Sequence, residues 1–373
     1  MNLIYLSPVP WDSFSQRPHE CVRYFHLRTG GRVFWVDPYP TRFPVLADVL
    51  HRRPQLRCTG SDTPAWLTLA KPKAIPFEPL PFSGLFNQLL WRNIISEIER
   101  VADKSTTLFG IGKPSLLALK LLSTNFFRAS FYDAMDDFPA FYTGRSQSST
   151  MKCEHQIVQR ASTVLTSSTS LRTRLQYMAH DVRLVPNACA SNRLPVLTDR
   201  KRTSSDSTFV IGYVGTMARW FDWKLLAVLA ESCPNALFRL IGPIYGGIPV
   251  SLPENVQMEP PRPHDEVLKT MAEFDVGLIP FKRTNLTSSV DPIKYYEYRA
   301  LGLPVVSSAF GEMARRGESD GVFLINRNSA GTDILQRARE FVAPPEMTEQ
   351  FRLNNSWMKR FDDAKIFQIR SCR

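Results

Sequence analysis

Short apolar runs alternate with amphipathic stretches along most of the chain, and this alternation constrains the fold more than any other feature of the sequence. The pattern is typical of βαβ units, in which helices connect parallel strands and cover the sheet. Strands are predicted at residues 3–6, 33–36, 107–109, 129–132, 163–166, 209–214, 236–241, 256–258, 276–280, 304–307 and 321–325. Helices are predicted at residues 16–28, 86–101, 152–160, 223–231, 264–272, 293–301, 332–341 and 345–369. Residues 41–81 have no clear period and are expected to form loops and short strands.

A polar stretch at residues 188–208 separates the two series. It is rich in residues that favour loops and turns. The chain has 373 residues, which is long for one core and suits two domains of about 150–200 residues each. We predict an N-terminal Rossmann-like domain at 1–190, a second at 208–345, and a C-terminal helix at 346–373 that packs back on the first. Open α/β sheets bind ligands at the carboxyl ends of their strands, so the site is expected in a cleft between the domains.

The charge of the chain predicts an anionic partner. Lys and Arg number 46 against 35 Asp and Glu, a formal net charge of +11. Residues 1–190 hold 22 basic and 14 acidic residues, which leaves 24 and 21 for the remainder, so the surplus is +8 in the first part and +3 in the second. Such a surplus favours a nucleotide, a nucleic acid or a lipid surface and says nothing about fold.

Cysteine spacing and the length of the apolar runs indicate the cellular compartment in which the protein works. The six cysteines include no Cys-x-x-Cys pair, so reduced thiols are expected rather than a disulfide scaffold or a metal motif. No apolar run approaches the roughly 18 residues of a membrane helix, and the N-terminus lacks the basic and long apolar segments of a signal peptide. A cytoplasmic protein without a membrane span is therefore expected.

Residues 291–307 carry the strongest indication of a binding site. Pro292 suits the first turn of a helix, whose free N–H groups and dipole attract an anion, and Lys294 adds a positive charge there. Glu297 follows three positions later on the same helix face, where a carboxylate can accept the two vicinal hydroxyls of a ribose. The alternative is a surface ion pair on an ordinary helix, worth about 0.2–0.5 kcal/mol.

This stretch resembles the P-x-K-x-x-E-x-x-A-x-G-x-P-V-V segment in the nucleotide-sugar site of GT-B glycosyltransferases. Further segments match the same family in the same order: V-P-N-A at 185–188, I-G-Y-V-G-T at 211–216, W-F-D at 220–222 and F-D-V-G-L-I-P-F at 274–281. The resemblance is greatest to bacterial cell-surface polysaccharide transferases, in the manner of family 4 and the xanthan glucuronosyltransferase. It implies the α/β GT-B fold, with two Rossmann-like parallel-sheet domains facing a central cleft.

The resemblance places a UDP- or GDP-linked sugar donor in the C-terminal domain, with no metal or other cofactor. Gly212 and Gly215 would let the backbone pass close to a phosphate. Family 4 members carry a second glutamate eight residues before the ribose glutamate, but this chain has Ser289 there, so Ser288, Ser289 or Asp291 would have to replace it. The expected donor-binding residues are Gly215, Thr216, Arg219, Lys224, Arg262, Ser289, Ile293, Lys294 and Glu297.

Three carboxylates, Asp133, Asp136 and Asp137, follow a predicted strand in the first half. Repulsion and burial would raise the pKa of at least one of them. That suits a general base that takes a proton from an acceptor hydroxyl, and the resemblance puts Asp133 first for the role. Alternatively these residues cap the next helix. A metal site is disfavoured because no further ligands have suitable spacing.

The basic first half is expected to bind the acceptor. The stretch at 11–19 resembles the W-D-x-x-x-Q-R-P loop of the same family, so Arg17 and His19 could contact acceptor or phosphate, or Arg17 could be a solvated charge at a helix start. The resemblance implies an acceptor sugar on a polyprenyl diphosphate at the inner face of the inner membrane. Charged and apolar residues that could dock there are Arg52, Arg53, Arg57, Lys71, Lys73, Leu85, Phe86, Leu89, Leu90 and Trp91. Burial of most of that apolar face in the core is the favoured alternative.

These observations predict a peripheral glycosyltransferase of cell-surface polysaccharide biosynthesis, with a lipid-linked or glycan acceptor. A nucleotide-sugar epimerase of the same fold is one alternative, and it would isomerise the donor without an acceptor. A basic nucleic-acid-binding protein is another, and it would explain the charge. The first half lacks RNP-like aromatic residues, zinc ligands and a helix-turn-helix signature, so no nucleic acid is expected as a partner.

Overall fold

The computed structural model describes residues 1–41, 63–74, 78, 83–195, 208–325 and 331–369. The chain forms two compact units. The first contains Met1–Pro186 and the end of the chain from Phe361 onward, and the second contains Asn187–Arg360. No helix in the described ranges is long and apolar enough to cross a membrane.

The first unit is built on a parallel sheet. Its strands are β1 (Asn2–Leu6), β2 (Val33–Val36), β3 (Leu67–Ala70), β4 (Thr107–Ile111), β5 (Ala129–Ala134), β6 (Thr163–Thr166) and β7 (Val182–Leu184). Its described helices are α1 (Arg17–Thr29), α2 (Ser83–Leu90), α3 (Arg92–Val101), α4 (Leu116–Leu122), α5 (Gly144–Arg160) and α6 (Thr169–Leu175). The strand order is β3-β2-β1-β4-β5-β6-β7. The order reverses at β1, and such a reversal opens a crevice at the carboxyl ends of the strands.

The strands of this sheet are buried, and α1 begins and ends at residues that suit a helix end. β2 and β4 are buried along their whole length, as expected of parallel strands that are covered on both faces. α1 begins after Gln16, whose N–H lies 3.4 Å from His19 Nδ1. It ends at Gly30, which has the left-handed φ of 64° that glycine adopts without strain.

The second unit repeats the plan. Its strands are β8 (Phe209–Val214), β9 (Ala236–Ile241), β10 (Val256–Glu259), β11 (Val276–Ile279), β12 (Val305–Ser308) and β13 (Val322–Ile325). Its described helices are α7 (Trp223–Ser232), α8 (His264–Met271), α9 (Ile293–Ala300), α10 (Gly331–Glu340) and α11 (Pro345–Asn354), and α12 (Trp357–Asp363) contains the division between the units. The sheet is parallel, in the order β10-β9-β8-β11-β12-β13.

Two glycines in the middle of this sheet are required by packing. Gly212 of β8 and Gly277 of β11 are paired neighbours. A Cβ on Gly212 would lie 2.0 Å from the ring of Phe274, and one on Gly277 would lie 2.3 Å from the ring of Tyr298. Gly212 therefore makes room for the ring of Phe274 against the sheet. The approach of its backbone to a phosphate stays a prediction.

The two α/β series predicted from the sequence are confirmed, with local differences. The predicted helix at 86–101 is divided into α2 and α3, which meet at the buried Trp91. α4, α6 and β7 were not predicted, because elements of three to seven residues hold too little of a period. Of the stretch at 41–81, β3 is described, and residues 42–62 lie outside the described ranges.

The C-terminal stretch is shared between the units. α11 packs in the second unit, where Arg352 Nε donates to the Ala300 carbonyl over 2.6 Å. The residues after Phe361 pack in the first unit, where the Tyr24 hydroxyl donates to Asp362 Oδ1 over 2.6 Å. In place of the one expected C-terminal helix there are two, α11 and α12, and only the later part of the stretch joins the first unit.

Candidate functional site

The second sheet reverses its strand order at β8, which lies between β9 and β11. The loops that leave β8 and β9 come close together there. Gly215 N donates to the Ile241 carbonyl over 2.9 Å, and a Cβ on Gly242 would lie 2.2 Å from Gly215 O. Gly215 and Gly242 have φ values of 145° and 142°, which favour glycine. The backbone at this edge of the sheet therefore depends on both residues.

Lys294 and Glu297 of α9 lie at the same edge. A Cβ on Gly215 would lie 3.8 Å from Lys294 Cε. Lys294 Nζ donates to Glu297 Oε2 over 2.6 Å, and the two side chains are 23% and 6% exposed. Glu297 Oε1 has no hydrogen-bond partner in the described ranges. One carboxylate oxygen of Glu297 and part of the Lys294 ammonium group are therefore available to a ligand.

The start of α9 strengthens the positive charge of this edge. Pro292 occupies the cap position, one residue earlier than predicted, and no side chain caps the first turn. The N–H groups of that turn and the positive end of the helix dipole lie on the same turn as Lys294. An anion can bind at such a helix end, while hydroxyl groups can donate to Glu297.

A buried network holds the start of α9 in place. Asp291 Oδ2 accepts hydrogen bonds from Asn187 N and the Tyr296 hydroxyl, both over 2.8 Å, and Oδ1 pairs with Arg316 Nη2 over 2.8 Å. Arg316 also lies 3.7 Å from the centroid of the Tyr295 ring. Burial raises the pKa of Asp291, and the charge of Arg316 opposes that rise. Because protein groups occupy this carboxylate, Asp291 positions the helix and does not replace the missing glutamate.

This network was missed by the sequence analysis. Asn187 lies 104 residues from Asp291, and Arg316 lies 25 residues from it. No local spacing connects such positions. The one local signal was an aspartate directly before Pro292 at the start of a predicted helix.

Other predicted donor residues lie around the loop after β8. Thr216 is half-buried next to Gly215, and its carbonyl accepts hydrogen bonds from Tyr213 and Trp220. Arg219 is exposed further along the loop. Lys224 is exposed in the first turn of α7.

The remaining predicted donor residues are more dispersed. Arg262 forms an ion pair with Glu259 at the end of β10, the edge strand. Ser289 is buried, whereas Ser288 is exposed and donates to the Asn285 carbonyl over 2.8 Å. Ile293 is the half-buried first residue of α9. The structure thus brings Gly215, Lys294 and Glu297 together more closely than the rest.

Asp133 lies in a buried ion pair at the end of β5. Arg17 Nε donates to both carboxylate oxygens over 3.0 Å, and Nη2 donates to Oδ1 over 2.8 Å. The side chains are 0% and 1% exposed. Arg17 Nη1 donates in addition to the Val185 carbonyl over 2.6 Å. The Asp133 carboxylate therefore faces a guanidinium group, where the sequence analysis expected an acceptor hydroxyl.

Asp136 is placed differently from the other two acids. Asp137 Oδ1 lies 3.6 Å from Arg174 Nη2. The Asp136 side chain is half-buried and has no hydrogen bond or ion pair with the described part of the chain. Burial raises the pKa of Asp136 to about 7; the charge of Arg17 opposes this rise, and the charges of Asp137 and Asp133 add to it. A pKa near neutrality suits proton exchange at neutral pH.

The two predicted acceptor contacts lie in the core of the first unit. His19 is 1% exposed, and its ring centroid lies 5.1 Å from those of Trp11 and Trp35. Its Nε2 lies 3.2 Å from the Trp11 carbonyl. Arg17 is fully buried against Asp133. This placement corrects the expectation of direct contact with an acceptor, because neither side chain reaches the surface.

The cysteines and acidic residues show no metal-binding arrangement in the described ranges. Cys21, Cys153, Cys189 and Cys233 are free thiols. No three His, Cys, Asp or Glu side chains of that part of the chain cluster closely enough to hold a metal ion.

Comparison with known protein sequences gives one partial match. No family model matches the chain. The chain is similar to the "putative teichuronic acid biosynthesis glycosyltransferase TuaH" of Bacillus subtilis strain 168, with 28% identity over 199 residues. The match covers 48% of this chain and 49% of TuaH, so the chain spans about half the length of this curated relative.

Solved structures match over nearly the whole chain. Sucrose-phosphate synthase of Thermosynechococcus elongatus has a TM-score of 0.67 at 15% identity. The match covers 99% of this chain and 98% of the synthase chain. HepE of Anabaena, solved in complex with UDP and glucose, has a TM-score of 0.62 at 15% identity and covers 99% and 100%. Together with the two parallel sheets, these matches confirm the predicted GT-B fold.

Proposed function

We propose that this chain is a glycosyltransferase that moves a sugar from a nucleoside diphosphate sugar to an acceptor hydroxyl. The observation that carries the proposal is the Lys294–Glu297 pair beside Gly215, at the strand reversal of the second sheet. One helix start presents there a positive dipole end, an ammonium group and a carboxylate. A diphosphate joined to a ribose requires these groups.

In the proposed reaction, the bond between the anomeric carbon and the diphosphate oxygen breaks, and a bond to the acceptor oxygen forms. Lys294 and the first-turn N–H groups of α9 stabilise the charge that develops on the diphosphate. Glu297 accepts the ribose hydroxyls and so fixes the donor. The Asp291 network keeps α9 in the orientation that both contacts need.

The acceptor hydroxyl must lose a proton, and we propose Asp136 as the base that receives it. Its carboxylate has no partner in the described part of the chain, and burial raises its pKa to about 7. Asp133 is the weaker candidate because Arg17 occupies both of its oxygens, and Asp137 faces Arg174. No metal is part of this proposal, since Lys294 and the helix end supply positive charge; full activity in a chelator would support it.

The nucleotide of the donor and the chemical class of the acceptor are also proposals. HepE was solved with UDP and glucose, which supports a UDP-linked donor ahead of a GDP-linked one. The description of TuaH supports a role in cell-surface polysaccharide biosynthesis. A glycan acceptor, or one linked to a polyprenyl diphosphate, fits that role.

Peripheral docking on the inner face of the membrane is proposed from α2. Phe86 and Leu89 are each 63% exposed and Leu90 is 40% exposed, so burial of these side chains in the core, the favoured interpretation of the sequence, is wrong. The exposed Arg92 follows Leu90 after one buried residue, Trp91. Apolar side chains beside a positive charge fit an anionic bilayer surface. Lys71 and Lys73 are exposed as well, whereas Arg52, Arg53 and Arg57 lie outside the described ranges.

Titration calorimetry with UDP, GDP and dTDP sugars tests the donor site. Glu297→Gln and Lys294→Met are each expected to weaken binding of the preferred nucleotide about tenfold, since each removes a charged contact. Asp333→Asn is the matched control, because it removes an exposed helical ion pair with Arg337. Wild-type affinity in Glu297→Gln would contradict the ribose assignment.

The reaction class is tested with NMR of the donor incubated with the protein alone. A transferase leaves the donor sugar unchanged or hydrolyses it slowly. Conversion of the donor into its epimer without an acceptor would replace the proposal with the epimerase alternative.

A further inference from the structure

The loop that leaves β9 runs beside the loop that leaves β8 at the ligand edge of the second sheet. Met217 N donates to the Pro243 carbonyl over 2.9 Å, and Tyr245 N donates to the Met217 carbonyl over 2.8 Å. The Met217 side chain is fully buried, which holds both loops in place. Neighbouring strands lie about 4.7–4.9 Å apart. Tyr245 therefore belongs to the loop one strand away from Gly215, the residue that Lys294 approaches.

Tyr245 presents an exposed aromatic side chain at this edge. Tyr245 is 44% exposed, and Ile248, three residues later, is 38% exposed. In the described part of the chain, the Tyr245 ring has no aromatic neighbour and its hydroxyl makes no hydrogen bond. Gly246 and Gly247 have φ values of 88° and 74°, and a Cβ on either would meet no atom within 4 Å. The tyrosine thus lies beside an open turn, with its ring available to a ligand.

Packed aromatic rings cover the opposite side of β8. Phe281, which follows β11, pairs with Phe221 in an antiparallel bridge, and its ring centroid lies 5.0 Å from that of Phe310. The Phe281 carbonyl also accepts a hydrogen bond from the Ser308 hydroxyl at the end of β12. Because protein side chains occupy the ends of β11 and β12, a ligand that extends away from Lys294 has more room on the β9 side.

We infer that Tyr245 stacks on the nucleobase of the donor; this inference rests on the proposed transferase function. In that proposal the diphosphate binds at Lys294 and the start of α9, and the ribose binds at Glu297. The base is then the part of the nucleotide that still lacks a partner. A base is planar and presents a π face, and an aromatic side chain can stack on any of the bases. The sugar must stay open to the acceptor, which leaves the base for the ring of Tyr245.

Calorimetry on the full chain tests this role with three ligands. They are the nucleoside diphosphate that binds most tightly among UDP, GDP and dTDP, its glucose-linked form, and inorganic pyrophosphate. Tyr245→Ala should raise the Kd of the nucleoside diphosphate and of its glucose-linked form by about fivefold or more, the loss expected when a stacking ring is removed. The Kd of pyrophosphate should not change. Tyr245→Phe keeps the ring and should stay within about twofold of the wild type.

Tyr177→Ala is the matched control, because Tyr177 is an 86% exposed tyrosine of the first unit. Proton NMR adds a measurement that a merely structural role of Tyr245 would not change. The ring protons of a base shift upfield when the base stacks on an aromatic ring. This shift should appear on binding to the wild type and Tyr245→Phe and be lost in Tyr245→Ala. Thermal unfolding of each variant verifies that it is folded.

Three results with Tyr245→Ala overturn the inference. These are an unchanged Kd for the nucleoside diphosphate, a loss confined to the glucose-linked form, which would put Tyr245 against the sugar, and an equal loss for pyrophosphate, which would report damage to the loops. The wild-type measurements separate this inference from the proposed function. If the wild type binds none of the three nucleotides, both are wrong. If it binds one of them and Tyr245→Ala binds it equally well, only the role of Tyr245 is lost.

Discussion

At the scale of single residues, Arg17 and Asp133 show how a charged motif can be misjudged from sequence. Both residue types are usually exposed, and their sequence positions suggested contact with ligands. In the structure they satisfy each other in the core, and Arg17 also binds the Val185 carbonyl. A separation of 116 residues hides such a pair from any local pattern.

Arg17→Met is predicted to destabilise the protein. The Asp133 carboxylate would remain buried without its cation, which costs about 3–5 kcal/mol in the free energy of unfolding. Urea denaturation at pH 7 measures the loss. The double variant Arg17→Met with Asp133→Leu should recover part of it, because no unpaired charge remains.

Asp133→Asn tests whether Asp133 has a structural or a catalytic role. We expect it to unfold at a lower urea concentration than the wild type. Asp136→Asn is expected to unfold at a higher urea concentration at neutral pH, because burial raises the pKa of Asp136 and disfavours its ionised form in the folded state. If Asp133→Asn keeps full stability and loses only turnover, Asp133 returns as the candidate base.

The second residue-scale prediction concerns Glu78. Burial raises its pKa to about 7, while the Tyr39 hydroxyl, the Leu116 N–H and Lys113 oppose the rise. The folded state therefore holds the proton more tightly than the unfolded state, and the contribution of Glu78 to stability falls as pH rises from about 4.5 to about 7.

Glu78→Gln removes this titration. Relative to the wild type, the variant is predicted to gain about 1–3 kcal/mol in the free energy of unfolding between pH 4.5 and pH 8. Urea denaturation at both pH values measures the difference between the two proteins, so the titration of Asp136, which has the same sign, cancels. A difference that does not change with pH would show that Glu78 is already ionised in the folded state at pH 4.5.

At the scale of elements, periodicity predicted the strands and the helix α9 well. The start of α9, with Pro292 before it and Lys294 and Glu297 on one face, could be placed from sequence because caps and i,i+3 spacing are local. The outward face of α2 could not. Its apolar side chains have the same pattern whether they face a core or solvent. Among the described side chains of this stretch, Asn87 and Trp91 are buried.

Tyr296→Phe tests whether the network beneath α9 positions the donor site. Removing its hydroxyl deletes one hydrogen bond to the Asp291 carboxylate, worth about 1.5–3 kcal/mol in stability. UDP affinity is predicted to fall two- to fivefold in calorimetry, although Tyr296 is not proposed to touch the nucleotide.

Tyr295→Phe is the matched control. It keeps the ring beside Arg316 and has no hydroxyl contact with Asp291 to lose. Equal UDP affinity in the two variants would contradict a positioning role for the network.

At the scale of the whole molecule, two α/β units could be predicted because each series of apolar runs carries its own signal. The return of the chain end to the first unit was predicted, whereas the contact between Tyr24 and Asp362 could not be, because these residues are 338 positions apart. The unequal charge of the two halves could be counted from the sequence. The surface on which the surplus charge lies could not be predicted from it.

The surplus of charge and the exposed face of α2 together predict binding to anionic vesicles. The double variant Phe86→Ser with Leu89→Ser should reduce sedimentation with phosphatidylglycerol vesicles at least threefold, and added salt should reduce wild-type binding. The control is Val342→Ser with Leu353→Ser, which removes similarly exposed apolar side chains from the second unit. An equal loss in both pairs would contradict docking through α2.

The paired glycines inside the second sheet affect how any mutational survey of this protein should be interpreted. Alanine at Gly212 or Gly277 would collide with the ring of Phe274 or Tyr298, so loss of nucleotide binding in these variants would report a collapsed sheet. Alanine at Gly215 strains only a loop at the ligand edge. Soluble yield, measured beside activity, would tell the two kinds of glycine apart.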